Sequence, residues 1–347
     1  MKQSVASCER SAKWDNVKFM LIVLVVIGHF LSGWAGSSPT ANKIFLWIYT
    51  FHMPLFLFVA GLFSKSSINR GRLRGEKVFL YLFLYVILAA FTYLLKLFYG
   101  RKAEPEFLGT YHVQWYMFVM AAFLVLMYGL RHRSMGMVLF FGIVLSCFAG
   151  YETAIGNGLC LSKMISFFPF FAAGYYIDPQ KLQARLQRRA VKGIAVAILV
   201  GFTLFIWFQT SWYERHFQPL LVLSTPGVYR KLPWPEAGAL YRLAWYALVS
   251  LVSLALLALV PSRKLPVSKI GQRTLSIYFW HVPLQMIFTQ SGLAAFLQKS
   301  VPVPHTLLLL GISVALTFFL SLPIFSKPFT WLMSRPQREI PGEKSAG

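Results

Sequence analysis

Long apolar stretches alternate with short polar and basic segments along the chain. Ten stretches have about 17 to 22 residues each, which is the length that a helix needs to cross the hydrocarbon core of a bilayer. Lipid offers no hydrogen bonds to the backbone, so each stretch is predicted to be a membrane-spanning helix. The stretches are residues 17–34, 44–63, 78–98, 113–130, 134–150, 161–177, 191–209, 240–260, 274–291 and 304–325.

Composition supports a membrane protein and excludes an ordinary soluble domain. Hydrophobic residues make up 57% of the chain and charged residues 13%, and the mean hydropathy is +0.58. We therefore predict an all-α polytopic integral membrane helix bundle of about ten transmembrane helices. Residues 17–325 form the membrane domain, and 1–16 and 326–347 form the two tails.

The basic residues predict the orientation of the bundle. Twenty-three of the 34 lysines and arginines fall in the two tails or in the segments that follow stretches two, four, six and eight, whereas nine fall on the other side. Cytoplasmic loops carry the excess of basic residues, so both termini are predicted to be cytoplasmic, in the plasma membrane. The same rule accounts for the net charge of +23 without nucleic acid as a partner.

Lys18 and His29 share one face of the first predicted helix. They are eleven residues apart, so their directions around the helix axis differ by only about 20°. Along the axis they are separated by about 16 Å. Lys18 then lies at the cytoplasmic surface and His29 near the middle of the membrane. Asp15 lies about 21 Å below His29, so it is expected to position Lys18, three residues on, rather than the imidazole.

Three histidines are embedded in the predicted helices, while all eleven acidic residues lie in loops, in tails or at helix ends. His29 lies about 18 Å from the cytoplasmic side, and His52 lies about 12 Å from the outer side. In a core of roughly 30 Å these depths are the same level, which allows the two rings to meet. His281, about 10 Å in from residue 274, is expected nearer the cytoplasmic third, along a channel rather than in a shared site. A neutral imidazole can accept a proton from a hydroxyl, although such histidines also link helices by hydrogen bonds.

Aromatic residues near the outer side have two interpretations. Trp115 and Tyr116 can stack against a sugar ring, but the composition of membrane interfaces favours an interfacial position for both. The outer loop at about 210–239 contains Trp212, Tyr213, Tyr229 and Trp234 and is a second candidate for the entry of a sugar.

Several segments resemble the membrane acyltransferase 3 family, and specifically its fucose 4-O-acetylase-like branch. The similarity runs from about residue 12 to 330. WDNVKFMLIVLVVIGHF and YTFHMPLFLFVAGLFSK resemble the opening of the family, and the later matches are VQWYMFVMAAF, FPFFAAGYY and GQRTLSIYFWHVPL.

The resemblance implies an O-acyltransferase that moves acetyl from cytoplasmic acetyl-CoA to a sugar hydroxyl of a surface glycan or glycolipid. The family's basic-x10-His motif falls on Lys18 and His29. Its pair of arginines in the first cytoplasmic loop is matched imperfectly by Arg74 and Lys77. Phosphate groups of CoA would suit this basic loop, whose candidate cations, besides Lys18, are Arg70, Arg72, Arg74 and Lys77.

The predicted chemistry has His29 as general base and requires neither a metal nor a permanently bound cofactor. His52 is the second catalytic candidate, as a group that orients the acceptor or stabilises the thioester oxyanion, and Asn16, Gln114 and the backbone are alternatives. A route through an acyl-His29 intermediate is equally allowed. The weaker candidates for substrate binding are Asp15, Trp115 and His281.

A transporter or flippase of lipid-linked saccharides is the competing class, and a non-catalytic scaffold is a third. The embedded histidines suit a transporter, but ion-coupled transporters commonly carry intramembrane carboxylates, and none is embedded here.

Overall fold

The computed structural model describes residues 11–69, 71–101, 113–155, 158–222, 227–301 and 303–334. Arg70 of the basic loop lies outside the described residues, as do most of the two tails.

Helices form nearly all of the described chain, and the predicted all-α membrane bundle is confirmed. Nine of the ten predicted stretches each correspond to one helix, and the tenth, 304–325, covers α13 and the start of α14. The helices are α1 (Ala12–Ser32), α2 (Pro39–Ser64), α3 (Gly75–Phe98), α4 (Trp115–Leu130), α5 (Met135–Ala149), α6 (Leu161–Tyr176), α7 (Pro179–Leu186), α8 (Arg189–Phe208), α9 (Thr210–Val222), α10 (Gly238–Leu259), α11 (Thr274–Gln290), α12 (Leu293–Ser300), α13 (His305–Leu320) and α14 (Pro323–Ser334). Two short strands, β1 (Ile68–Asn69) and β2 (Arg72–Leu73), pair antiparallel in the basic loop.

Six helical segments of the described chain are long and apolar enough to cross a membrane: α1, α3 and α8, and also α2, α6 and α10 together with the short 3₁₀ turns that adjoin them. The pair α13 and α14, bent by 53°, is a seventh span if it is counted as one, and α4 and α5 are shorter apolar helices. The number of membrane crossings and the cytoplasmic location of both termini stay predictions.

Contacts between loops define two faces of the bundle. At what we call the basic face, the start of α1 meets the segments that follow α6 and α10, through the bonds Ser11 to Gln183 at 2.8 Å and Asn16 to the Pro261 carbonyl at 2.9 Å. At the opposite face, the bonds are Ser38 to Thr306 at 3.1 Å, Tyr151 to the Glu236 carbonyl at 2.6 Å and Arg101 to Gln290 at 3.0 Å. Lys18 lies toward the basic face, and the α1–α2 turn lies at the opposite face.

Glycines allow the backbones of α2 and α6 to approach closely. Gly61 faces the carbonyl group of Phe171, and Gly174 faces that of Phe58, so a Cβ on either glycine would overlap the opposing oxygen. Small residues commonly allow such packing between membrane helices, because close approach increases van der Waals contact. This contact fixes α2, which carries His52, against α6.

The start of α1 is anchored to the segment that leads into α11. Gly271, in the 3₁₀ helix Pro266–Gln272, packs on the carbonyl of Asp15 with no room for a Cβ. The side chain of Asn16 donates to the carbonyls of Pro261 and Arg263, each at 2.9 Å, and accepts a bond from Ser268 at 2.5 Å. These contacts fix the level at which α11 begins beside α1, and they use the Asn16 side chain for structure.

We expect Gly174→Ala to destabilise the protein by about 1–3 kcal/mol, because the new methyl group must push α2 and α6 apart. Gly311→Ala is the matched control, since Gly311 lies in α13 with open space around it. There alanine should be neutral or stabilising. The thermal unfolding midpoints of the purified proteins in detergent measure the difference. Equal midpoints for the two variants would contradict the packing described.

Candidate active site

Two histidines from different helices meet in the bundle. The rings of His29 on α1 and His281 on α11 have centroids 5.2 Å apart and planes inclined by 44°. His281 is fully buried, whereas His29 is half-buried. The two imidazoles therefore share one site, and the prediction that His281 lies along a channel rather than in a shared site is wrong.

Part of the error in the level of His281 has a geometric cause. The sequence estimate measured depth from residue 274 and counted α-helical rise only. The structure places Gly271 level with Asp15, so His281 lies ten residues beyond that level. Part of that distance belongs to a 3₁₀ helix and its end, which rise about 2 Å per residue instead of 1.5 Å.

The hydrogen bonds of His281 define its tautomer. Its Nδ1 lies 2.7 Å from the carbonyl oxygen of Tyr278 and 3.2 Å from that of Ile277. A carbonyl oxygen only accepts, so Nδ1 carries the proton and Nε2 has the lone pair. Nε2 is buried and has no hydrogen-bond partner among the described residues. His281 thus presents a proton acceptor beside His29.

His52 adopts the same tautomer one helix away. Its Nδ1 donates to the carbonyl of Ile48 at 2.9 Å, which leaves Nε2 as an acceptor. The ring of Tyr49 lies between His52 and His29, because its centroid is 4.6 Å from that of His52 and 6.3 Å from that of His29. The contact between His29 and His52 therefore runs through Tyr49, which the sequence analysis did not single out.

Buried aromatic side chains form a wall beside the histidines. Tyr278 contacts both His281 and Tyr116, with centroids 5.5 Å and 4.9 Å apart. Trp115 stacks on Phe167 of α6 at 5.5 Å. Trp115 and Tyr116 are only 7% and 5% exposed, because α4 packs against α3 and α6. The favoured interpretation of both as interfacial residues is therefore wrong.

Lys163 is a buried cation near the site that the sequence analysis missed. Its Nζ lies 4.8 Å from the centroid of the Trp115 ring, and Trp115 precedes Tyr116 in the wall beside the histidines. Lys163 lies near the start of the predicted stretch 161–177. A lysine inside an apolar segment is unusual, and this feature of the sequence could have identified it. Cations and amides are the groups that stabilise a developing oxyanion, and buried Gln114 lies at the adjoining start of α4.

At the basic end of α1, the pairing predicted from helical spacing is confirmed. Lys18 Nζ lies 2.8 Å from Asp15 Oδ1, and the other carboxylate oxygen accepts a bond from Gln272 at 3.0 Å. Lys18 also lies over the ring of Phe63, 5.7 Å from its centroid, near the end of α2. Lys18 is therefore adjacent to the start of the basic loop.

Cations in the described part of the basic loop make local contacts. Lys77 donates to the hydroxyls of Ser66 and Ser67 at 3.2 and 3.1 Å, and Arg74 Nε lies 3.7 Å from a carboxylate oxygen of Glu76. Arg72 is exposed on β2. The loop is thus folded against the end of α2, on the side of the bundle where Lys18 lies.

Among the residues that the structure describes, no three His, Cys, Asp or Glu side chains cluster as a metal site would require. The chemistry of the site is carried by imidazoles, a buried cation and aromatic side chains within a membrane bundle. This arrangement is suited to proton transfer at a hydroxyl group.

The fold is that of an integral membrane helix bundle. A family model described as an acyltransferase domain matches residues 11–322, which is about nine tenths of the chain. The chain belongs to the acyltransferase 3 family and is an acyltransferase. No curated protein and no solved structure shows significant similarity to the chain. The family match gives no support to the transporter alternative.

We expect Lys18→Met to destabilise the protein by about 1–3 kcal/mol, because it leaves the nearly buried Asp15 carboxylate without its cation. Asp15→Asn in the same chain should restore most of that loss, since the amide needs no counter-charge. Thermal unfolding of the two single variants and the double variant measures this coupling. A double variant that loses the sum of the two single effects would refute the ion pair as a structural element.

Proposed function

We propose that this acyltransferase moves an acetyl group from acetyl-CoA to a sugar hydroxyl of a surface glycan or glycolipid, with His29 as general base. It would act in the plasma membrane as a member of the fucose 4-O-acetylase-like branch. The basic face would be cytoplasmic, and the acceptor would approach from the opposite face. The observation that carries the proposal is the contact between the rings of His29 and His281. The helix that carries His29 also holds Lys18, at its basic end.

Acetyl-CoA would bind at the basic face. Its phosphate groups suit Lys18 and the cations of the basic loop, where arginine offers a planar fork and lysine a point charge. The contact of Lys18 with Phe63 supports this assignment, because it joins the cation of α1 to the end of α2 from which the loop leaves. The pantetheine arm would then follow α1 toward His29, about 16 Å further along the helix.

In the proposed reaction, His29 removes the proton from the sugar hydroxyl as the oxygen attacks the carbonyl carbon of the thioester. A C–O bond forms, the C–S bond breaks, and the CoA thiolate takes the proton from His29. His281 would accept a hydrogen bond from the His29 imidazolium through Nε2, so we propose it as a positioning residue. Its own orientation is set by two backbone carbonyls.

The tetrahedral intermediate carries a negative charge that needs stabilisation. Lys163 is the proposed source, because it is a buried cation over Trp115, whose neighbour Tyr116 packs on Tyr278 beside His281. Gln114 and His52 remain candidates for orienting the acceptor, and Trp115 would hold Lys163 in place through its ring.

We expect His29→Ala to lower acetyl transfer by about 100-fold or more, which is the usual contribution of a general base. The measurement is the incorporation of label from radiolabelled acetyl-CoA into glycans and glycolipids of membranes that contain each variant. His132→Ala is the matched control, because His132 is an exposed histidine in the segment after α4. It should retain wild-type incorporation.

Equal incorporation by His29→Ala and the wild type would rule out His29 as the base. Label that enters no glycan or glycolipid with the wild-type protein, while another acceptor class is labelled, would overturn the sugar acceptor and leave the family assignment intact.

A further inference from the structure

A cleft of about 720 Å³ lies at the opposite face, between the α1–α2 turn and the junction of α8 with α9. This volume falls in the range of about 300–1,000 Å³ that is typical of binding sites for small molecules. The cleft is separate from the histidine site. The side chains on which its chemistry depends are Asn42, Lys43, Trp207, Trp212 and Glu214.

The polar groups of the cleft suit an uncharged ligand with hydroxyl groups. Asn42 Nδ2 donates to Glu214 Oε1 at 2.5 Å. Asn42 Oδ1 and Glu214 Oε2 accept no side-chain hydrogen bond from any residue that the structure describes, so both are available to a ligand. Lys43 balances the charge of Glu214. A cleft with one cation and one anion selects neither a phosphate nor a cationic ligand by charge.

Two tryptophans supply flat apolar surfaces at the same cleft. Trp207 and Trp212 are 44% and 46% exposed. Lys43 lies over the ring of Trp207, 4.9 Å from its centroid, and His216 stacks on Trp212 at 4.1 Å with an interplanar angle of 16°. Both rings are therefore held in place. Aromatic faces beside carboxylate and amide acceptors match the apolar faces and hydroxyl groups of a sugar ring.

Packed side chains along one face of α2 span the distance between the cleft and the histidine site. Asn42, Phe45, Tyr49 and His52 follow each other at spacings of three, four and three residues, which places them on one side of the helix. The rings of Phe45 and Tyr49 lie 3.9 Å apart, and Tyr49 contacts His29. Seven residues from Asn42 to Tyr49 correspond to about 10 Å of helical rise. A sugar in the cleft is therefore displaced from the one that reacts.

We propose that this cleft binds an uncharged, non-reacting sugar residue of an oligosaccharide acceptor. Trp207 and Trp212 contact the ring, and Asn42 with Glu214 binds its hydroxyl groups. The acceptor then presents a second sugar to His29. This inference rests on the proposed function, and it adds a requirement for acceptors longer than one sugar.

The test uses neutral trisaccharide and monosaccharide fractions released from the surface glycans of the producing cells. Transfer from radiolabelled acetyl-CoA to each fraction gives kcat and KM, and tryptophan fluorescence of the purified protein reports binding without transfer. Trp212→Ala and Glu214→Gln alter the cleft. Phe296→Ala and Glu236→Gln are matched controls, because both residues are exposed at the same face and do not line the cleft.

We expect the cleft variants to raise KM for the trisaccharide by about tenfold, with kcat unchanged, and to leave the monosaccharide reaction and both controls at wild-type values. The trisaccharide should quench fluorescence in the wild-type protein and much less in Trp212→Ala. Trisaccharide kinetics that stay at wild-type values in both cleft variants would overturn the cleft and assign its tryptophans to the membrane interface.

Failure of the cleft and failure of the proposed function give different results. Transfer to sugars without quenching, and without an effect of the cleft variants, overturns the cleft alone. Quenching that depends on Trp212, without transfer to any sugar, supports the cleft and overturns the proposed acetyl transfer.

Discussion

The close packing of Gly271 on the backbone of Asp15 sets the position of α11 beside α1. Asn16 strengthens this contact through bonds to two carbonyl groups and a serine of the same segment. Because α1 also carries Lys18 and His29, one helix fixes both ends of the proposed reaction path. The position of α11 along α1 brings His281 into ring contact with His29, and no other described histidine makes such a contact.

The chemistry of the histidines follows from their positions in helices. Both His52 and His281 donate from Nδ1 to a carbonyl one turn earlier, and this local bond leaves Nε2 as the acceptor. The protein thus fixes a tautomer without a carboxylate in the membrane. A site of this kind can take a proton from a hydroxyl and pass it to a thiolate. In the proposed mechanism, a buried lysine stabilises the negative charge that develops on the oxygen.

Sequence reasoning predicted the helices and the pairing of Asp15 with Lys18, because hydropathy and helical spacing are local properties. It misplaced His281, because depth counted along one helix ignores the 3₁₀ segment before it. It assigned Trp115 to the membrane interface, because the burial of α4 depends on which helices surround it. Lys163 and Tyr49 were missed for the same reason, since their roles arise only when α1, α2, α4 and α6 pack together. The cleft also depends on a junction between distant parts of the chain.

The central claim is that His29 and His281 act as one unit, and kcat of the variants His29→Ala, His281→Ala and the double variant tests it most directly. Circular dichroism and thermal unfolding identify variants that fail to fold. If His281 acts through His29, the double variant should lose no more activity than His29→Ala alone, as is usual for residues that work together. Losses that multiply in the double variant would show that the two imidazoles act independently and would contradict the account.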